Sequence, residues 1–288
     1  MTSRPAYPTD LSDARWALIE PVLSAWRAAR AQAGLGLAAP VHDLREIVNA
    51  ILYVNRAGCA WQLLPHDFPP HKTVYDYYAK WEKDGTAEAI HDLLRRRVRA
   101  RAGRSPGPSA ALVGAQSVKT SANVPETSQG IDAGKKIKGR KRHIATDTLG
   151  LVLVVLVTAA SVQDTAGGRA VLTELAARYP TVTKAWVDAG YHNSAAATGA
   201  AHGINVEVVR KDPARGGFRP LPRRWAIERT YGWLMLHRRL ARDYEALPER
   251  SRAMIHWAMT DNMSRRLTGE STQTWRDTTA KTGEPYVT

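Results

Sequence analysis

Between Arg219 and Arg242 the chain carries seven arginines and a single carboxylate, Glu228. Two chemistries account for an acid held among guanidinium groups. One is a structural ion pair from Arg224 to Glu228, one helical turn apart and worth only ~0.3–0.5 kcal/mol on an exposed surface. The other is a carboxylate that ligates a hard divalent cation, on a face laid against the phosphates of a nucleic acid. The surrounding pattern is helical. Ile227, Tyr231 and Leu234 recur at the spacing of an inward stripe, and Arg224, Glu228, Gly232, Met235 and Arg239 stack on a neighbouring face. Pro220 and Pro222 keep that helix from starting before Arg223. A second concentration of charge is Lys135, Lys136, Lys138, Arg140, Lys141 and Arg142, six cations in eight residues. It reads either as a solvated loop and strand edge or as a track for backbone phosphates, which clustered cations bind by releasing counterions and without reading sequence.

The balance of the whole chain agrees with a polyanionic partner. Its 288 residues carry 41 basic against 27 acidic side chains, a net charge of +14, while the hydrophobic content of 44% is ordinary. The longest apolar run, Leu149–Ala160, is about a dozen residues, too short to span a bilayer, and MTSRPAYPTD has no apolar signal core. A lone cysteine, Cys59, excludes an internal disulfide framework and fits a reducing cytosol. The histidines lack metal-ligand spacing with cysteine partners, which argues against a zinc site.

The elements that must position these residues fall into two blocks. Residues 10 to 104 read as helices: Leu11 to about Arg30 with Pro21 as a kink or break, a helix opened by an Asp43–Glu46 capping box and closed by Gly58, one capped by Thr73, and one capped by Thr86. The last ends in Arg95, Arg96, Arg97, Arg99 and Arg101, the pattern of a solvated helix end. Two short helices around a proline-bearing turn, the second with Lys72, Tyr75, Tyr78, Lys80 and Trp81, suit a helix-turn-helix or a plain bundle with aromatic core. GRSPGPSA at 103–110 is the domain boundary. Beyond it the period changes to strands at Ala111–Val118, Arg140–Thr146 and Leu151–Ala159, with Gln129–Gly139 an open loop. A helix at Asp164–Arg178, a strand at Val182–Asp188, a helix at Asn193–Ala201 and a strand at Val206–Val209 follow, and then the Arg223 helix. A meander of three strands followed by alternating helix and strand is the order of a ribonuclease H-like α/β domain.

At the motifs the pattern becomes specific. GAQSVKT (114–120), DAGKKIKGRKRHIATDTLG (132–150), WVDAGYHN (186–193) and RRWAIERTYGWL (223–234) resemble bacterial insertion-sequence DDE transposases of the IS-five-like group. DLREIVNAILYVNRAGCAWQLLP and FPPHKTVYDYYAKW resemble that group's helical DNA-binding domain. The resemblance covers roughly Tyr7 to Glu245. It implies a helical, helix-turn-helix-like DNA-binding domain over 1–104 and a ribonuclease H-like mixed-sheet catalytic domain over 111–267, while the polar composition of 268–288 predicts a disordered tail. It also implies a cytoplasmic, nucleoid-associated protein acting on double-stranded DNA, the terminal repeats of its own element and a target. A homodimer would let two ends be processed together.

In that family two aspartates and a glutamate hold divalent cations, Mg²⁺ with Mn²⁺ as a substitute, for cutting and rejoining DNA. Two such ions activate the attacking oxygen and stabilise the leaving one. Asp188 matches the second aspartate and Glu228 the glutamate. The first aspartate's position is Gly114, which has no side-chain ligand. Asp147 or Asp132 could reach in instead, the site could work in reduced form, or the chain could be an inactivated copy that only binds DNA. Lys119, Arg223, Arg224, Arg238 and Arg239 join the basic run as expected DNA contacts. The related signature places Tyr and Lys where Leu221 and Met235 stand, and Trp225 and Trp233 suit the core better than a flipped base.

Overall fold

The structure, a computed structural model, describes residues 4–34, 42–188, 190–191, 193–209 and 224–272. Four helices precede any strand: α1 (Asp13–Gln32), α2 (Leu44–Ala57), α3 (His71–Lys83) and α4 (Thr86–Arg101). Their ends differ in detail from the sequence pattern. α1 is one helix that contains Pro21. Asp43 caps α2 through Arg45 N at 2.8 Å, and Gly58 closes it at φ 75°. Glu46 completes no capping box, because its carboxylate is taken by Arg4 and Asn49. Thr73 lies inside α3, whose first turn is closed by Val74 N on Pro70 O at 3.1 Å. The cap of α4 is the Asp84 carboxylate, which accepts from Thr86 N and Oγ1, with Gly85 left-handed between them.

The strands are β1 (Ala110–Lys119), β2 (Gly130–Asp132), β3 (Ile137–Asp147), β4 (Val152–Ala159), β5 (Lys184–Asp188) and β6 (Asn205–Val209). β3 pairs antiparallel with β1 on one edge and with β2 and β4 on the other, while β5 runs parallel to β1 and β6 parallel to β5. The expected loop at Gln129–Gly139 therefore contains a short strand and the start of β3. An antiparallel meander continued by parallel crossovers is the ribonuclease H-like arrangement. α5 (Asp164–Arg178) and α6 (Asn193–Ala201) cover one face, around Ala111, Val113, Ala145 and Leu153. α7 (Trp225–Met235) packs on the other face, around Leu112 and Ile144.

That second face shares its core with the N-terminal helices. A single apolar cluster runs from Leu11 and Ile19 through Trp81 and Val98 to Leu112, Ile144, Ile227 and Trp257. Its axis is α8 (Pro248–Thr268), which is buried nearly all round. Trp257 meets Trp81 at 5.7 Å, Asn55 Nδ2 donates to Met254 O at 2.8 Å, and Arg15 pairs with Asp261 at 2.5 Å. The basic end of α4 is solvated only in part: Arg96, Arg97 and Arg101 are exposed, while Arg95 and Arg99 are buried. Arg99 forms a buried pair with Asp147, and Arg95 pairs with Asp92 and lies over the Tyr179 ring at 4.9 Å. The Gly103–Ala110 segment thus joins two halves that fold onto one core. The expected disordered tail is corrected at its start: Thr268 ends α8, and Glu270 accepts from Ser12 Oγ at 2.5 Å, while residues 273–288 lie outside the described residues.

Candidate active site

Parallel pairing sets the site. Ala110 lies beside Lys184 and Leu112 beside Trp186. The paired stretch ends there, two residues before Gly114 on β1 and two before Asp188 on β5. Asp188 ends β5, at the carboxyl edge of the parallel strands, where open α/β sheets bind their ligands.

α7 reaches this edge because the turn after β3 seats it. Thr230 Oγ1 donates to Gly150 O at 2.6 Å and Arg229 Nη2 to Leu149 O at 3.0 Å. Gly150 has φ 77°, and a Cβ there would lie 2.9 Å from Thr230 Oγ1, so only glycine permits the approach. With Ile227, Tyr231 and Leu234 buried against the sheet, Arg224 and Glu228 project toward the end of β5. Arg224 Nη1 binds Asp188 Oδ2 at 3.1 Å and its Nη2 binds Glu228 Oε1 at 3.1 Å. The two acids, far apart along the chain, meet on one guanidinium. The acid side chains are 28% and 52% exposed against 18% for the arginine, so a solute reaches the carboxylates more readily than the cation between them. Arg223 lies outside the described residues.

Gly114 faces α7. A Cβ added there would lie 3.0 Å from Ile227 Cδ1 and 3.2 Å from Tyr231 Oη. The Tyr231 hydroxyl is buried with no hydrogen-bond partner among the described residues, as is that of Tyr191. Burial pushes both phenols up, with Tyr191, Glu228 and Asp188 adding to the effect at Tyr231, and Asp164 and Asp188 adding to it at Tyr191. The corner that a first carboxylate would occupy is therefore lined by a methyl group and a neutral phenol.

Neither proposed substitute fills that corner. Asp147 is buried on Arg99 and also accepts from Leu149 N and Leu151 N. Asp132 accepts from Ser117 Oγ at 2.5 Å, Lys135 N at 3.1 Å and Lys141 Nζ at 3.2 Å. Burial would raise its pKa, but these donors outweigh it and hold the carboxyl near about 2. Lys141 also binds Asp164 at 2.8 Å, and Asp164 and Asp188 flank Gly190, whose Cβ would lie 4.0 and 3.0 Å from them. Asp164, expected only near a helix cap, is thus a neighbour of the site. The signal for it was the Gly167-Gly168 pair, which lets α5 press on the His143 and Tyr191 rings, where added Cβ atoms would come within 2.1 and 2.2 Å.

The basic run divides. Lys119, Lys135, Lys136, Lys138 and Arg238 are exposed, with Lys138 paired to Glu126 at 2.8 Å. Four expected DNA contacts are corrected, because their charges are used inside the protein. Arg140 is fully buried and donates to Ser128, Asp243, Glu245 O and Ala246 O. Arg142 is fully buried and donates to Leu240 O at 2.8 Å. Lys141 is held by Asp132 and Asp164. Arg239 is buried on Glu245 at 2.8 Å, in a short turn beyond α7 rather than on its face. Trp225 is exposed, and Trp233 is half-buried between Arg229 and Arg266.

The donor set suits one divalent cation better than two. Two carboxylates, with water and substrate oxygens, satisfy a single Mg²⁺. A pair needs a further carboxylate, and among the described residues no three His, Cys, Asp or Glu side chains converge as a metal-binding group. Also among them, no helix is long and apolar enough to cross a membrane.

Comparison with known families agrees with this architecture. Residues 11–91 match the family described as transposases of IS4/5 type, and residues 105–263 match the transposase DDE domain. No curated protein and no solved structure matches the chain. With the DDE domain spanning more than half of the 288 residues, behind an IS4/5-type helical segment, the chain belongs to the insertion-sequence DDE transposases.

Proposed function

We propose that this transposase binds double-stranded DNA at the terminal inverted repeats of its own element, as a homodimer acting on both ends in the cytoplasm, and that its cutting and joining chemistry is strongly impaired. The observation that carries the proposal is the meeting of Asp188 and Glu228 on Arg224 beside a glycine. Asp188 and Glu228 would hold one Mg²⁺, or Mn²⁺ in its place. Such an ion supplies charge stabilisation to the reacting phosphate oxygens. For both acids to face it, Arg224 must release them, and a DNA phosphate is a fit new partner for a guanidinium. The exposed Lys119, Lys135, Lys136, Lys138 and Arg238 supply the surrounding positive surface. Impairment follows from Gly114, since a two-ion reaction loses both charge and geometry with a ligand.

The test is the native chain with its element's end DNA. Tight binding that weakens steeply with salt is expected, together with slow nicking that needs Mg²⁺ or Mn²⁺ and vanishes in Asp188→Asn. A binding constant unchanged between low and physiological salt would overturn the phosphate-contact reading. A second reading, a relic or repressor that binds terminal repeats without catalysis, is favoured by the Ile227 methyl and Tyr231 phenol lining the first-ligand corner. Binding with no nicking in Mn²⁺ selects it.

A further inference from the structure

A cavity lies away from Asp188 and Glu228, between the turn after α2 and the segment that follows α7. It measures about 800 Å³ and is bordered by Trp61, Tyr75, Arg239, Tyr244 and Glu245. Sequence creates it in two steps. Gly58 ends α2 at φ 75°, and a Cβ there would lie 2.9 Å from Arg238 Cβ, so the glycine lets the Trp61–Leu63 turn close on the Arg238–Leu240 turn. Trp61 then meets Tyr75 edge-on at 5.3 Å, and the Arg239 guanidinium lies 5.7 Å from the Trp61 ring and 5.1 Å from the Tyr244 ring.

Among the polar groups of this cavity, which also include His71, Asp76, Ser121 and Asn123, Arg239 and Glu245 are a buried donor and acceptor set side by side. Arg239 gives Nε to Glu245 at 2.8 Å and Nη1 to Cys59 O at 2.8 Å, while its Nη2 bonds to nothing among the described residues. Around them the aromatic rings offer π faces, and Lys72 and Gln62 stand exposed at the rim. On the same turn as Trp61, Leu63 is 72% exposed, the most exposed of the large apolar side chains among the described residues. An aromatic box with a desolvated donor and acceptor matches a nucleobase, which has two faces for stacking and a polar edge for hydrogen bonds. A bare leucine beside it matches the apolar wedge that holds a base step open.

We propose that this cavity receives a nucleobase unstacked from the bound DNA, with Arg239 and Glu245 meeting the base edge, Tyr75 and Tyr244 its faces, and Leu63 filling the gap left in the stack. The site is distinct from the carboxylate pair and is built from both halves of the chain. The proposal rests on DNA binding, and its test separates the two. A labelled 20-base-pair duplex of arbitrary sequence is compared with the same duplex carrying a three-nucleotide single-stranded end with 2-aminopurine, both in EDTA at low salt. The unpaired end should bind about tenfold more tightly, because stacking is gained without breaking a pair, and the 2-aminopurine emission should fall. Tyr75→Ala should lose both effects while keeping its affinity for the blunt duplex. So should Ala60→Trp, which fills the cavity from an exposed position and removes no native contact. Equal affinities for the two DNAs, or a preference that survives Ala60→Trp, overturns the cavity assignment and leaves DNA binding intact. Binding to neither DNA overturns both.

Discussion

Replacing Gly114 by aspartate probes the site where it departs from the family pattern. The new Cβ would sit 3.0 Å from Ile227 Cδ1, against ~3.5–4.0 Å for an unstrained carbon contact. The crowding falls on the free end of a side chain, so Ile227 can turn away at a cost of about 1–3 kcal/mol, the range for overpacked cores. Against that, the unpartnered Tyr231 hydroxyl, 3.2 Å from the same Cβ, gains an acceptor worth about 1 kcal/mol. Gly114→Asp should therefore fold, slightly destabilised, and Ile227→Val in the same chain should recover part of the loss by removing the crowded methyl. For the chemistry, restoring a ligand worth ~3–4 kcal/mol of barrier predicts a roughly 10²–10³-fold gain in cleavage. The assay is nicking of a supercoiled plasmid carrying the element's ends, with Mg²⁺ and with Mn²⁺, alongside thermal unfolding of each variant. The reasoning is refuted if native protein nicks as fast as Gly114→Asp. It is refuted equally if Gly114→Asp and the double variant fold and bind DNA yet cut no faster.

Three further outcomes follow from the placement of charge. Asp147→Ala strips a buried acid from Arg99 and from two backbone amides and should cost about 3–5 kcal/mol in denaturant unfolding; a loss below 1 kcal/mol would contradict the burial. Lys136→Ala should weaken DNA binding and lower its salt slope by about one unit without moving the melting temperature, whereas Arg142→Met should move the melting temperature, since Arg142 is fully buried; the opposite pattern would restore Arg142 to the surface track. Burial holds His143, His237 and His256 near about 4, against 6.5 for a free imidazole. On acidification the unfolded chain takes up those protons first, so stability should fall from about pH 6.5 toward pH 4, by up to about 1.4 kcal/mol per pH unit for each histidine. Urea midpoints at pH 7.5, 6 and 5 check this, and equal midpoints would refute it.

Local signals gave the sheet domain well. Helix α5 and helix α6 have the bounds that capping and composition predict, and β1, β3, β4, β5 and β6 lie where the period after the Gly/Pro/Ser boundary puts strands, while β2 falls in the segment read as a loop. The basic run misled for a geometric reason. β3 is flanked on both edges and covered on both faces, so alternation sends Arg140 and Arg142 toward the helical core and Lys141 toward α5. Cations spaced like a surface track are then interior braces, paired with Asp243, Asp132 and Asp164. Helix α8 was hidden by the opposite circumstance: buried nearly all round, it has no polar face to produce a helical period.

The meeting of Asp188 and Glu228 could not be read from any local pattern, because it depends on the parallel register of β1 with β5 and on the turn at Gly150 that seats α7. Only the resemblance singled out Asp188. Gly114 carries two meanings at once. As a motif position it is a missing ligand. As a residue inside a strand it marks a close approach of another element, and Ile227 and Tyr231 of α7 make that approach. A glycine there weakens the strand by about 0.5–1 kcal/mol relative to alanine, and the buried Ile227 contact offsets that loss. Stability therefore places little pressure on the chain to keep a side chain at 114, and the acid can be lost without unfolding the site built around it.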